Sequence, residues 1–366
     1  MVLALRSPLS STRLEVSCLP WALRYFCQNC GGIIGSSESD GYQVFKSQVW
    51  QRINVMMSER NWHASTSIIL VEPPYDFEKT VKFATYSSER YVADVYREGI
   101  YSRLLHVGED LVLMQARSTG KVDDPALEFS AASPNMSEET DDAAGEIMVK
   151  MLGVDRPLGD FYEMASDDQM LAPLIAEFRG MRIPQAASVF ESLVMSVLGQ
   201  QISSQVARVL RTGLIDAYGT TIESAGVSYS AFPRPEDIAR RGVDDLRSIK
   251  FSARKAEYLV DISAQVASGD LDLEGLRDAP DDEIVETLVK LRGIGPWTAH
   301  WMLIRAVGRP DGFPHGDLAL QRYMGQLFNG GDHMDAQAAL DASTRWSPFR
   351  SYVTTYLFAA ARAGML

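Results

Sequence analysis

A chain of 366 residues is long enough for two packed domains with separate cores. Its 46% hydrophobic and 23% charged content are those of a soluble globular protein, and no apolar run approaches the ~20 residues of a membrane-crossing helix, so no membrane partner is expected. A net charge of −13 argues against indiscriminate binding to polyanions, though charge can be segregated along a chain.

Residues 1–65 read as a poorly structured N-terminal extension. Its first 55 residues are rich in Ser and Arg and poor in acids, and they include GGIIGSSESDG. Two readings stay open: an organelle-targeting presequence, or upstream sequence ahead of a working start at Met56 or Met57. All three cysteines, Cys18, Cys27 and Cys30, lie here, so the rest of the chain has no disulfide framework. Cys27-x-x-Cys30 is half of a zinc site without a second half, and no metal is expected.

Residues 66–155 read as an α+β domain. SIILVE is a β-rich run. Asp76, after Pro73-Pro74-Tyr75, is an N-cap candidate for a helix carrying Val81 and Phe83. YVADVYREG, YSRLLHVGED and LVLMQARSTG are strand-length runs split by glycine turns, which predicts an antiparallel meander, and ALEFSAAS adds a strand. Ser137 to Leu152 is amphipathic and predicts a helix; it opens with the acidic run SEETDDAAGE.

Residues 156–366 read as almost entirely helical. Phe161–Phe178 gives one or two helices. A helix begins at Ser188, buries Leu193, Val194, Val197 and Leu198, and breaks at Gly199-Gln200-Gln201. Ser203 restarts a helix through Tyr218. Glutamine amides at a helix break suit base edges or a gap in a duplex, or they cap their own loop. Further helices are expected over 235–241, 243–249, 253–268, 282–291, 296–305, 317–328 and 346–363. Arg240, Arg241, Arg247, Lys250, Arg254 and Lys255 cluster around the joints, facing either phosphates or solvent.

The most informative stretch is Lys290–Gln321, KLRGIGPWTAHWMLIRAVGRPDGFPHGDLALQ. Gly293-Ile294-Gly295 forms a turn in which glycine permits positive φ and close approach to another surface. Amides at the following helix start point outward and suit a phosphate. The turn GRPDGFPHG then delivers one carboxylate, Asp317, to the start of another helix.

LRGIGPWTAHW and FPHGDLAL resemble the hairpin and catalytic Asp of the helix-hairpin-helix DNA glycosylase superfamily. The Trp after GIGP points to its 3-methyladenine DNA glycosylase II (AlkA-type) branch, and PPYDF, FESLVMSVLGQQISSQVA and RWSPFRSYVTTYLF agree with that branch. The resemblance implies an α+β fold: a small antiparallel sheet domain with helices, then a mostly helical glycosylase core. It implies a monofunctional enzyme that flips out and hydrolytically excises alkylated bases, 3-methyladenine and 7-methylguanine, in base excision repair. Gly293, Ile294, Gly295 and Thr298 would anchor double-stranded DNA, and Gln200, Gln201 and Ser203 would supply the wedge. Trp297, Trp301, Phe358 and Phe83 would line the base pocket. Asp317 would stabilise the oxocarbenium-like sugar and orient the attacking water. Lyase-active branches carry a lysine where this chain has Trp297, and tryptophan cannot form a Schiff base. No cofactor is required; a structural monovalent cation at the hairpin is expected with DNA bound. A monomer is expected, cytoplasmic if bacterial, nuclear or organellar if eukaryotic. The alternatives are a non-catalytic hairpin module that only clips DNA, or a glycosylase for another damaged or mispaired base.

Overall fold

The computed structural model describes residues 62–366. The cysteines and nearly all of the expected extension lie outside the described residues. Its last residues do not read as expected, because β1 already begins at His63 and runs to Leu70.

The N-terminal half is built on a six-stranded antiparallel sheet ordered β1-β6-β5-β4-β3-β2. The meander is β2 (Arg90–Tyr91), β3 (Asp94–Arg97), β4 (Ile100–Val107) and β5 (Asp110–Ser118). The fifth run, β6 (Ala126–Ser133), pairs with both β5 and β1 and so closes the sheet against its first strand. Helix α1 (Phe77–Ala84) starts where Asp76 accepts a hydrogen bond from the Lys79 amide, and α2 (Glu138–Met151) starts at Ser137. Both lay apolar faces on the sheet, around Val81, Tyr101, Met114, Phe129 and Met148.

The helical half follows: α3 (Gly159–Ala165), α4 (Ala172–Glu177), α5 (Val189–Gly199) and α6 (Ser204–Tyr218). The sequence reading expected no strands here. The chain instead forms a hairpin, β7 (Thr221–Ser224) and β8 (Val227–Ser230). Its two-residue turn has Ala225 at φ 54° and Gly226 at φ 71°, both positive, as the favoured hairpin turn requires. Ala in place of Asn or Asp hides that signal. Tyr229 and Ala231 then pack on Val95, Leu104 and Leu113 of the sheet.

Next come α7 (Pro235–Ala239), α8 (Val243–Ser248), α9 (Ala253–Ser268), α10 (Asp281–Val289) and α11 (Pro296–Met302). A π-helical turn, Leu303–Val307, continues α11 to Gly308, which adopts the left-handed conformation at φ 77°. α12 (Leu318–Phe328), α13 (Ala336–Ser343) and α14 (Arg350–Arg362) complete the chain. The sequence reading missed α13 and started the last helix too early. Trp346 sits in a separate 3₁₀ turn, Thr344–Trp346, ahead of α14.

α11 lies between two helical cores. Ala299 and Met302 join one with Leu193, Leu259, Ile284 and Leu288. Trp301 and Ile304 join the other with Phe161, Phe313, Leu320 and Tyr356. A helix pinned on both faces is a rigid place from which to present side chains.

Candidate active site

Asp317 is the N-cap of α12, and it is only 9% exposed. Its Oδ1 accepts from the backbone amides of Ala319 and Leu320 at 2.9 and 3.0 Å. Its Oδ2 accepts from the indole Nε1 atoms of Trp297 and Trp301 at 2.8 and 3.1 Å. Four N–H groups therefore fix one carboxylate, which is both helix cap and partner of two aromatic rings. The spacing of Trp297 and Trp301 on α11 is one helical turn, so both indoles reach the same oxygen.

Trp301 stands edge-on to Phe358 of α14, with centroids 5.2 Å apart, and Phe358 meets Tyr323 of α12 in the same way at 5.3 Å. Phe83, Trp301 and Phe358 line one narrow cleft of only about 10 Å³, less than room for a base, with Pro184, Ile304, Arg305 and Thr355. Three of the four expected pocket aromatics thus converge, from α1, α11 and α14. Trp297 joins them through Asp317.

The sequence reading missed two cations here. The Arg305 guanidinium lies over the Trp301 ring, 4.3 Å from its centroid. The Arg362 guanidinium lies 4.2 Å from the Phe83 centroid and 3.8 Å from that of Tyr86, and it donates to the Phe83 carbonyl at 2.8 Å. Burial pushes the Tyr86 hydroxyl up, but Arg305, Arg362 and Arg211 together outweigh it and bring its pKa down to about 8. The only sequence signals were position: Arg305 four residues after Trp301, and Arg362 four after Phe358.

The hairpin is the turn between α10 and α11. Gly293 has φ 88°, as expected, whereas Gly295 has φ −109° and needs no glycine-specific backbone. No side chain caps α11, which begins at Pro296. Two of the expected DNA contacts point inward. Thr298 is 1% exposed, and its hydroxyl accepts from Gln200 Nε2 at 3.1 Å. Gln200 also donates to the Gly293 carbonyl at 3.0 Å. Both amide hydrogens of Gln200 are therefore engaged by the hairpin. Gln201 stays exposed, with φ 57°. Ser203 caps α6 through the Val206 amide. Ile202 and Leu318, 36% and 77% exposed, adjoin Gln201 and Asp317 as solvent-facing apolar groups.

A model of the HhH-GPD superfamily of base excision DNA repair proteins matches residues 194–348, which hold the hairpin, Asp317 and the Gln200 loop. The chain is 30% identical over 299 residues to a DNA-3-methyladenine glycosylase of Bacillus subtilis (strain 168), covering 81% of this chain and 98% of the relative. The chain belongs to the HhH-GPD superfamily. Another relative, DNA-3-methyladenine glycosylase 2 of Escherichia coli (strain K12), is 27% identical over 78% of this chain and 94% of its own length. A solved 3-methyladenine DNA glycosylase from Archaeoglobus fulgidus superposes with a TM-score of 0.73 at 27% identity, covering 82% of this chain and 99% of that one. Its coverage shows that this HhH-GPD member shares the sheet half as well as the helical core.

Proposed function

We propose that this HhH-GPD protein binds duplex DNA, turns an alkylated purine out of the stack and hydrolyses its N-glycosidic bond. The observation that carries the proposal is Asp317: a nearly buried carboxylate fixed by four donors, two of them the indoles of an aromatic cluster. A module that only clips DNA has no use for that arrangement. The names of the Bacillus and Escherichia relatives support the alkylated-base class.

As the bond breaks, its electron pair leaves with the base nitrogen and positive charge develops on the sugar. The Asp317 carboxylate stabilises that charge, and it orients a water for attack on the anomeric carbon or accepts its proton. Alkylation at N3 or N7 makes the purine cationic, so it leaves neutral and needs no strong general acid. The guanidiniums of Arg305 and Arg362 already occupy one face each of Trp301 and Phe83. Selectivity for a cationic base therefore rests more on its leaving ability than on a free cation–π cage. For the hairpin, a monovalent cation would be held by backbone carbonyls; the Gly293 carbonyl accepts from Gln200 yet keeps a second lone pair. Such an ion would place positive charge between the turn and a phosphate.

The test is an excision assay on matched duplexes that carry single lesions. Release of 3-methyladenine and 7-methylguanine is expected to outpace release of uracil and 8-oxoguanine; the reverse order would sink the alkylated-base assignment. With Trp297 where a nucleophilic lysine would stand, borohydride is expected to trap no covalent protein–DNA adduct. A trapped imine would overturn the hydrolytic mechanism.

A further inference from the structure

We propose that Gln200 is a positioning residue that makes phosphate anchoring and base extrusion one mechanical event, an inference that rests on the activity proposed above. α5 ends at Gln200, whose backbone turns extended at φ −61° and ψ 133°. The next residue, Gln201, is held in the left-handed region at φ 57°, a conformation that a side chain adopts only where its surroundings impose it.

The surroundings are two side-chain bonds of Gln200 and a lysine. Gln200 Nε2 donates to the Gly293 carbonyl at 3.0 Å, inside the hairpin turn, and to the Thr298 hydroxyl at 3.1 Å, on the helix that carries Trp297 and Trp301. The Gln200 carbonyl accepts from Lys255 Nζ at 2.8 Å. The same ammonium takes the Leu198 carbonyl at 2.8 Å, so it caps the C-terminal end of α5. Arg211 closes the other side by donating to the Met195 carbonyl. One side chain thus ties the exposed Gln201 loop to the phosphate-facing turn and to the helix that fixes Asp317. Once phosphates seat on the hairpin, the depth to which Gln201 enters the duplex is set. Without that tie the hairpin still binds DNA and Asp317 keeps its four donors, but the loop is free to retreat from the stack.

The separating measurement compares a paired lesion with the same lesion in a bulge, where the base is already unstacked. The probe is 7-methylguanine next to a 2-aminopurine, whose fluorescence rises when the stack opens. Gln200→Leu keeps the volume and removes both donors. It is expected to slow the fluorescence rise and base release on the paired duplex by about tenfold or more, the order for two lost hydrogen bonds. On the bulge, release is expected to change by less than about threefold. Thr298→Val, which removes one of the two acceptors, and Lys255→Met are expected to shift the same ratio in the same direction, and they serve if Gln200→Leu folds poorly. Equal slowing on both substrates, or none on the paired duplex, overturns the proposal. The fluorescence arm is independent of chemistry: an opening rate that depends on Gln200 without any base release by the unmodified protein would sink the glycosylase reading and leave the coupling intact.

Discussion

Replacing Asp317 by Asn is expected to lower single-turnover base release by about 10³-fold or more while duplex binding stays within a few fold. The substitution is also expected to destabilise the fold, although Asn is nearly isosteric. An amide offers one accepting oxygen and one donating NH₂. The native carboxylate meets donors on both sides: the Ala319 and Leu320 amides at Oδ1, and the Trp297 and Trp301 indoles at Oδ2. Whichever way the amide turns, two of those donors face an NH₂. Each orphaned or opposed donor costs about 1–3 kcal/mol, so a loss of about 2–6 kcal/mol is expected. Rates must therefore be compared per folded molecule, at a temperature where both proteins are native. With the Asn oxygen kept on the Ala319 and Leu320 amides, as an Asn N-cap requires, its NH₂ faces the indoles, so adding Trp297→Phe removes one opposed donor and separates the two effects. The double variant is expected to regain stability over Asp317→Asn and to stay inactive. If activity returned along with stability, the carboxylate would be a structural cap and its catalytic assignment would fail.

Asp317 was legible in the sequence because a Phe-Pro turn and a helix start bracket it, so spacing alone predicted an N-cap in a special place. The aromatic cluster was partly legible: Trp297 and Trp301 lie one turn apart on one helix, while Phe83 and Phe358 come from α1 and α14, far apart along the chain. The inward turn of Gln200 was not legible, for a definite reason. A Gly-Gln-Gln break looks the same whether its amides face DNA or a neighbouring turn, and the acceptors that decide the matter lie more than 90 residues away. Arg305 and Arg362 carried only the weak signal of lying four residues after Trp301 and Phe358, since an arginine on a helix reads as solvated until the ring beneath it is known. The β7–β8 hairpin escaped because its turn is Ala-Gly, and because its buried residues answer to the sheet of the other half and not to a period of their own. Helices with a continuous apolar stripe, such as α5 and α9, were read within a residue or two.

The two glycines of the hairpin are expected to fail in opposite ways when given a side chain. At Gly293 a Cβ would lie 2.2 Å from two ring carbons of Tyr258, and the backbone sits at φ 88°. The left-handed backbone costs a non-glycine residue about 1–2 kcal/mol, and forcing the ring aside costs about 1–3 more. The clash reaches the base of the ring as well, with Tyr258 Cγ 2.8 Å from the added Cβ, so a small turn of the ring does not relieve it. Gly293→Ala should therefore lower thermal stability by several degrees and disturb the turn even without DNA. Gly295 has open space around its Cβ position, with nothing within 4 Å. Its φ of −109° and ψ of 176° are also what a residue before Pro296 must adopt, and Val adopts them readily. Gly295→Val should leave stability within about 0.5 kcal/mol. Its side chain would instead stand at the uncapped start of α11, in the path of a phosphate. Binding should weaken alike on all duplex sequences, because phosphate contacts carry no sequence information. The slope of log affinity against log salt should fall by about 0.9 for each phosphate lost. Fluorescence anisotropy titrations at several salt concentrations, on two unrelated duplexes, read both quantities. A loss confined to one duplex, or an unchanged salt slope, would mean that the turn does not hold a phosphate, and the hairpin would then be a joint between helices and nothing more.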